Sequence, residues 1–275
     1  MTVKILAVVA ESATAAACLD AAEASAHAIH DATVEALHVV VDPDHLIVAS
    51  EEIAFQHLRE RYEGTAKERE AATLAAYEDW VASHPDADIP LNWKERIGAE
   101  EENVEQEARA FDVLVLARPT NMDGGDALHA AIHRAHHPLF LVPAKWSLKP
   151  GDTFAEHVVV AWNNTACCRK ALEGALPWLK VAVEVTLLLI AEEPELADPA
   201  RELLDAHGIS YQVRQSQRDT ETLGDQIVTE AHNLDADLLV MGAYRHNQLL
   251  EWLLGGTTRH VLAHCDLPLF LAHCA

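Results

Sequence analysis

Short, nearly unbroken apolar runs alternate with longer amphipathic stretches along the whole chain. In the first half, runs rich in Val and Leu predict strands near 3–10, 34–41, 91–97, 112–117 and 138–142, with helices near 12–30, 50–83, 100–110 and 126–136. In the second half the same reading gives strands near 157–162, 183–190, 209–215, 237–241 and 268–272, and helices near 166–179, 197–207, 220–234 and 257–265. Leu223, Ile227, Ala231 and Leu234 form one helical stripe, the spacing of a helix that buries a single face. The long helix at 50–83 carries Glu, Arg and Lys from Glu51 to Glu78, which reads as a solvated face. Strands that do not alternate polar with apolar belong to a sheet covered on both sides. Strand–helix alternation makes such a sheet parallel, so the fold class is α/β.

The two halves repeat each other. Pro138-Leu139-Phe140-Leu141 returns as Pro268-Leu269-Phe270-Leu271, an offset of 130. Asp112-Val113-Leu114-Val115-Leu116 answers Asp237-Leu238-Leu239-Val240-Met241 at an offset of 125, and Ile5 to Val9 answers Val158 to Trp162 at 153. Three matched strands in one order indicate a duplication. The offsets place about 28 extra residues between the first and fourth strands of the first half, and about 5 missing before its last strand. Pro143 to Glu156, with Pro150-Gly151, is the expected linker, giving domains at 1–143 and 156–275.

Charge narrows the function classes. Lys and Arg number 20 against 44 Asp and Glu, a formal charge of −24 over 275 residues. That balance argues against sequence-independent binding to nucleic acid or to an anionic membrane, both of which need a basic surface. No apolar run reaches the ~20 residues that span a bilayer, and Met1 to Ala10 does not read as a signal peptide. Five cysteines without framework spacing suit a reducing compartment, so the expectation is a cytoplasmic protein.

The candidate chemistry sits late in the chain. The strand at Leu238 to Met241 stops at Gly242, and Gly255-Gly256-Thr257-Thr258 opens another helical pattern. A strand, a glycine loop and a helix N-terminus together make an anion-binding construction, because the first amides of a helix lack intrahelical partners. The order of residues resembles the nucleotide loop of the universal stress protein family: Gly, two residues, Gly, nine residues, Gly, then Ser or Thr. Gly242 and Gly255 match the first and third glycines, Arg245 stands at the second, and Gly256 stands where the first hydroxyl is expected, ahead of Thr257 and Thr258. The family's adenine- and ribose-binding Asp corresponds to Asn163. Arg245 leaves two opposite roles open, crowding the loop or offering a cation to a phosphate.

The resemblance covers the chain as a tandem pair. It implies two doubly wound, five-stranded parallel-sheet domains of strand order 3-2-1-4-5, of the adenine nucleotide alpha hydrolase-like type. It further implies that they pair through their last strands as an internal pseudo-dimer, and it leaves a homodimer open. ATP or a related adenine nucleotide is expected in the second domain only, at Asn163, Gly242, Arg245, Gly255, Gly256, Thr257 and Thr258. In the first half Ala10, Ala117 and Thr120 stand at the Asp and first two glycine positions, so that half reads as a scaffold. The bland alternative for the second-half loop is a turn with Thr257 or Thr258 as helix cap.

Other constellations point to little. His129 and His133, and likewise His260 and His264, are four apart on a helix, but a zinc site needs three or four ligands and no metal is expected. Cys167-Cys168 at a helix start read chiefly as small core residues, and Trp162, Trp178 and Trp252 as packing. No general base stands beside the loop, which excludes more than a slow ATPase. The expected function is a non-enzymatic, nucleotide-responsive stress protein. The competing reading is an interaction protein that has lost its nucleotide.

Overall fold

The computed structural model describes residues 2–42, 59–85, 89–120, 123–149, 151–191, 193–219, 222–243 and 256–274, with side chains left aside for 123–125. Two compact units emerge, one of Met1–His137 with Val142–Pro150 and the other of Pro138–Leu141 with Gly151–Ala275.

In the first unit β1 (Val3–Val8) lies between β2 (Ala32–Val40) and β4 (Val113–Ala117), all parallel, and β3 (Leu91–Ile97) pairs parallel with β2. Strand order is therefore β3-β2-β1-β4. Around it lie α1 (Ala15–Ile29), α2 (Ala66–Ser83), α3 (Glu100–Ala108) and α4 (Asp123–His129), the last running into a π turn over Ala130–Arg134. Ala15, Ala17, Ala21, Ala22 and Ala24 are all buried in α1. Side chains this small let the helix axis approach the sheet.

The helix expected at 50–83 is not continuous over its described part. Residues 43–58 lie outside the description; a helical stretch at 59–63 ends at Gly64, whose φ is 87°. Thr65 then starts α2 with a capping box, its Oγ1 accepting from the Glu68 amide at 3.3 Å while Glu68 Oε2 accepts from the Thr65 amide at 2.8 Å. Nor is every charge on this stretch solvated. Arg59 is only 2% exposed, and Arg69 Nη2 donates to the Val41 carbonyl at 3.1 Å.

In the second unit β6 (His157–Ala161), β7 (Glu184–Ile190), β8 (Gln212–Ser216), β9 (Leu238–Ala243) and β10 (Leu269–His273) run parallel in the order β8-β7-β6-β9-β10. Numbered from the start of the unit, this is 3-2-1-4-5. Its helices are α5 (Ala166–Leu179), α6 (Asp198–Ala206), α7 (Leu223–Asn233) and α8 (Thr257–His264). Most of β5 (Leu139–Val142) clusters with this unit, pairing antiparallel with β10 as Leu139↔Leu271, Phe140↔Phe270 and Leu141↔Leu269. Phe140 stands edge-on to Phe270 and Trp178, each at 4.8 Å between centroids, and all three are at most 1% exposed. Gly174 of α5 is small for a reason, since a Cβ there would lie 2.7 Å from Cγ of Pro138.

The repeated aspartates have matching tasks. Asp112 Oδ2 accepts from the Lys4 amide at 2.8 Å, and Asp237 accepts from the amides of Glu156 and His157 at 2.9 and 3.2 Å. Each holds the start of its unit's first strand against the start of the fourth.

The cysteines depart from expectation. Cys167 and Cys274, 107 residues apart, are joined by a disulfide. Cys18 and Cys168 are buried thiols, and burial pushes the Cys18 thiol up to about 12.

Candidate functional site

The crevice expected to hold a ligand lies beyond the carboxyl ends of β6 and β9, where strand order reverses. There the chain leaves β6 through Trp162, Asn163, Asn164 and Thr165. Trp162 is buried, and its indole Nε1 donates to the Leu196 carbonyl at 2.8 Å. Asn164 takes a φ of 53°, a left-handed turn that Asn tolerates better than most residues. Thr165 caps α5, its Oγ1 accepting from the Cys168 amide at 3.3 Å.

Asn163 closes this turn. Its Oδ1 accepts from the Thr165 amide at 3.3 Å, from Thr165 Oγ1 at 2.8 Å and from Cys168 Sγ at 2.9 Å. The oxygen assigned from sequence to a ribose or adenine thus has local partners. Gly242 sits against the same helix start, where a Cβ would lie 2.7 Å from the Cys168 amide nitrogen and 2.9 Å from Cys167 Cβ. The helix approach accounts for this glycine without a ligand.

Arg245 and Gly255 fall outside the described residues. Gly256, in extended backbone at φ −71° and ψ 157°, is the cap residue of α8 and supplies no side-chain acceptor. The cap is therefore neither Thr257 nor Thr258, which are the first two helical residues. α8 is tied to α7 behind them. The His260 side chain packs on Gly224, where a Cβ would lie 2.7 Å from His260 Cβ and 2.9 Å from its ring Cδ2, and His260 Nε2 pairs with Asp225 Oδ1. A hydrogen bond from Thr222 and then the His260 contact hold the Asp225 carboxyl below its usual range.

In the first unit a cluster of buried charges that the sequence reading missed lies beside the corresponding strand ends. Glu11, beside Ala10, is 4% exposed, and its Oε1 accepts from both the amide and Oγ1 of Thr120 at 2.8 Å. Glu100, also 4% exposed, has its carboxyl pushed well above the usual range, first by burial and then by Asp126 and Glu11, with Arg59 opposing. Arg59 Nε pairs with Glu63 Oε2 at 3.2 Å. The arginine comes from the stretch that makes the first half longer. A cavity of about 130 Å³ remains beside the cluster, bordered by Glu11, His38, Val41, Arg69 and Thr73. His38 donates from Nδ1 to the Val9 carbonyl at 2.8 Å, and burial keeps its ring below the ordinary histidine range.

The histidine pairs have protein partners. His129 Nδ1 contacts Glu101 Oε1 at 2.7 Å, and His260 stacks on His264 at 4.2 Å. Among the described residues no group of three or more His, Cys, Asp or Glu is placed to hold a metal ion. No helix among them is long and apolar enough to cross a membrane.

Residues 177–273 match the model of the universal stress protein family. The second unit belongs to that family. The universal stress protein match therefore takes in β7 to β10, Gly242 and the start of α8, and stops short of Asn163. A universal stress protein from Archaeoglobus fulgidus DSM 4304 has a similar fold at a TM-score of 0.68 and 15% identity, with 98% of each chain covered. A putative universal stress protein from Pseudomonas aeruginosa UCBPP-PA14 aligns at a TM-score of 0.58 and 15% identity, over 98% of this chain and 92% of that one. Identities this low speak for the fold. They extend the α/β universal stress protein architecture over the first unit as well. A comparison with curated proteins finds no match.

Proposed function

We propose that the chain is a non-enzymatic stress-response protein whose second unit binds an adenine nucleotide, such as ATP, beyond the ends of β6 and β9. The supporting observation is that the family match takes in the end of β9 with Gly242 and the start of α8, capped by Gly256, and the positive end of a helix dipole favours an anion. The arrangement is one-sided. At the corresponding strand ends of the first unit Ala10, Ala117 and Thr120 replace the family's Asp and glycines, and Glu11 binds the Thr120 amide and hydroxyl, so one nucleotide per chain is expected.

One observation favours a second reading, an interaction protein without nucleotide. Asn163 Oδ1 and Gly242, two of the residues assigned to the ligand, are both engaged by the start of α5. Desalted protein titrated with ATP, ADP and AMP separates the two. Ligand at 100 times its Kd adds about 2.7 kcal/mol to stability, a clear rise in Tm. Calorimetry should give a single site per chain. Unchanged melting at millimolar concentrations of all three nucleotides would leave the second reading.

A further inference from the structure

The disulfide lies where a covalent change is felt at the strand ends. Cys167 is the second residue of α5 and 3% exposed, while Cys274 follows β10 directly and is half-buried. Between the two runs the end of β9. Gly242 pairs in register with Ala272 and packs against Cys167, and Nδ1 of His273 bonds the Ala243 carbonyl at 3.3 Å. Thr165 Oγ1 donates to Asn163 Oδ1 and accepts from the Cys168 amide, which holds the same helix start.

We propose that Cys167–Cys274 is a reversible thiol–disulfide switch, which a small dithiol opens and a small disulfide such as oxidised glutathione closes. The two sulfurs are not equivalent. A thiolate attacks the sulfur of Cys274, the more exposed of the two residues, forms a mixed disulfide there and expels Cys167 as thiolate. Cys167 stands at the positive end of the α5 dipole, which favours that anion and makes Cys167 the better leaving group. The second thiol of the reagent then attacks the mixed disulfide, releasing Cys274 and leaving the reagent oxidised. The chain gains two electrons and two protons. Closing with glutathione disulfide runs through the mixed disulfide at Cys274 and releases two reduced glutathiones.

Opening frees the segment after β10 and removes the covalent tie on the start of α5, next to Asn163 and Gly242. The switch does not depend on nucleotide binding. It gives this part of the fold a response to oxidants that its hydrogen bonds alone lack.

The test compares full-length protein equilibrated with oxidised glutathione and with dithiothreitol, under native conditions. Differential alkylation with peptide mapping should find Cys167 and Cys274 linked in the first sample and both alkylated in the second. Hydrogen exchange should rise about tenfold or more after reduction in the amides around 163–168 and 271–274, a local opening made easier. Cys274→Ser should show the reduced pattern with or without dithiothreitol. If that variant does not fold, the oxidised and reduced wild type still decide. The proposal is overturned by any of three results: no link between these cysteines under oxidising conditions, a link that survives excess dithiothreitol in the folded protein, or identical exchange in both states.

Discussion

Gly242 passes so close to Cys168 that a Cβ on the glycine would lie 2.7 Å from the cysteine's amide nitrogen. Backbone cannot swing aside as a side-chain tip does. Gly242→Ala should therefore push β9 and α5 apart and cost about 1–3 kcal/mol, the usual penalty for overpacking. Urea unfolding checks this, and a change under 0.5 kcal/mol would mean that the contact relaxes freely.

The oxygen of Asn163 serves three donors, so the chemistry of its replacement matters more than its size. Asn163→Ala should lose about 1–2 kcal/mol, because the turn into α5 loses its acceptor. Asn163→Asp keeps the acceptor and should stay near wild type. Equal loss in both variants, read from denaturation midpoints, would contradict the hydrogen-bond account.

The buried charges of the first unit predict opposite results for two substitutions. Arg59→Met strands Glu63 and removes the cation beside Glu100, and should cost about 3 kcal/mol. Glu100→Gln should help at neutral pH. The native carboxyl titrates well above its ordinary 4.5, so the folded state holds this proton more tightly than the unfolded one. Wild-type stability from this group then falls as pH rises above the unfolded value toward the native one. Unfolding measured at pH 5 and pH 7.5 should show a flatter dependence in Glu100→Gln. An unchanged slope would remove Glu100 from the explanation.

The disulfide closes a loop of 107 residues. Reducing it should lower the stability of the second unit by about 2–5 kcal/mol, and Cys274→Ser should do the same. Denaturation of oxidised and reduced protein, followed by near-ultraviolet circular dichroism, gives both numbers. A loss in the variant but not on reduction would point to the serine rather than the bond.

Much of this architecture was legible because it rests on local pattern. The twin aspartates, Asp112 and Asp237, mark equivalent strands in the two units, and the twin Pro-Leu-Phe-Leu segments mark the two strands that pair within the second, β5 and β10. The capping box at Thr65 and Glu68 is a local signal that the single helix expected at 50–83 ran over, because helical periodicity continues on either side of Gly64. Arg59 was not legible. A charge on an amphipathic stretch faces solvent by default, and only surroundings distant in the chain, the buried Glu100 among them, turn it inward. Gly242 illustrates a different limit. A glycine reports that something lies too close for a Cβ, without saying whether it is a phosphate or a helix. The partner of Cys167 needed the register of β10, which no spacing along the chain encodes.

The segment Pro138–Leu141 lies mid-chain, and its partner β10 is made about 130 residues later. At ~5–20 residues per second, synthesis leaves that strand waiting on the order of 10 s before it can pair. Its Leu and Phe side chains need shelter in the interval. A fragment beginning at Gly151 would have the converse defect, with the edge of β10 open and the space beside Gly174 empty. Expression boundaries for the second unit therefore belong before Pro138.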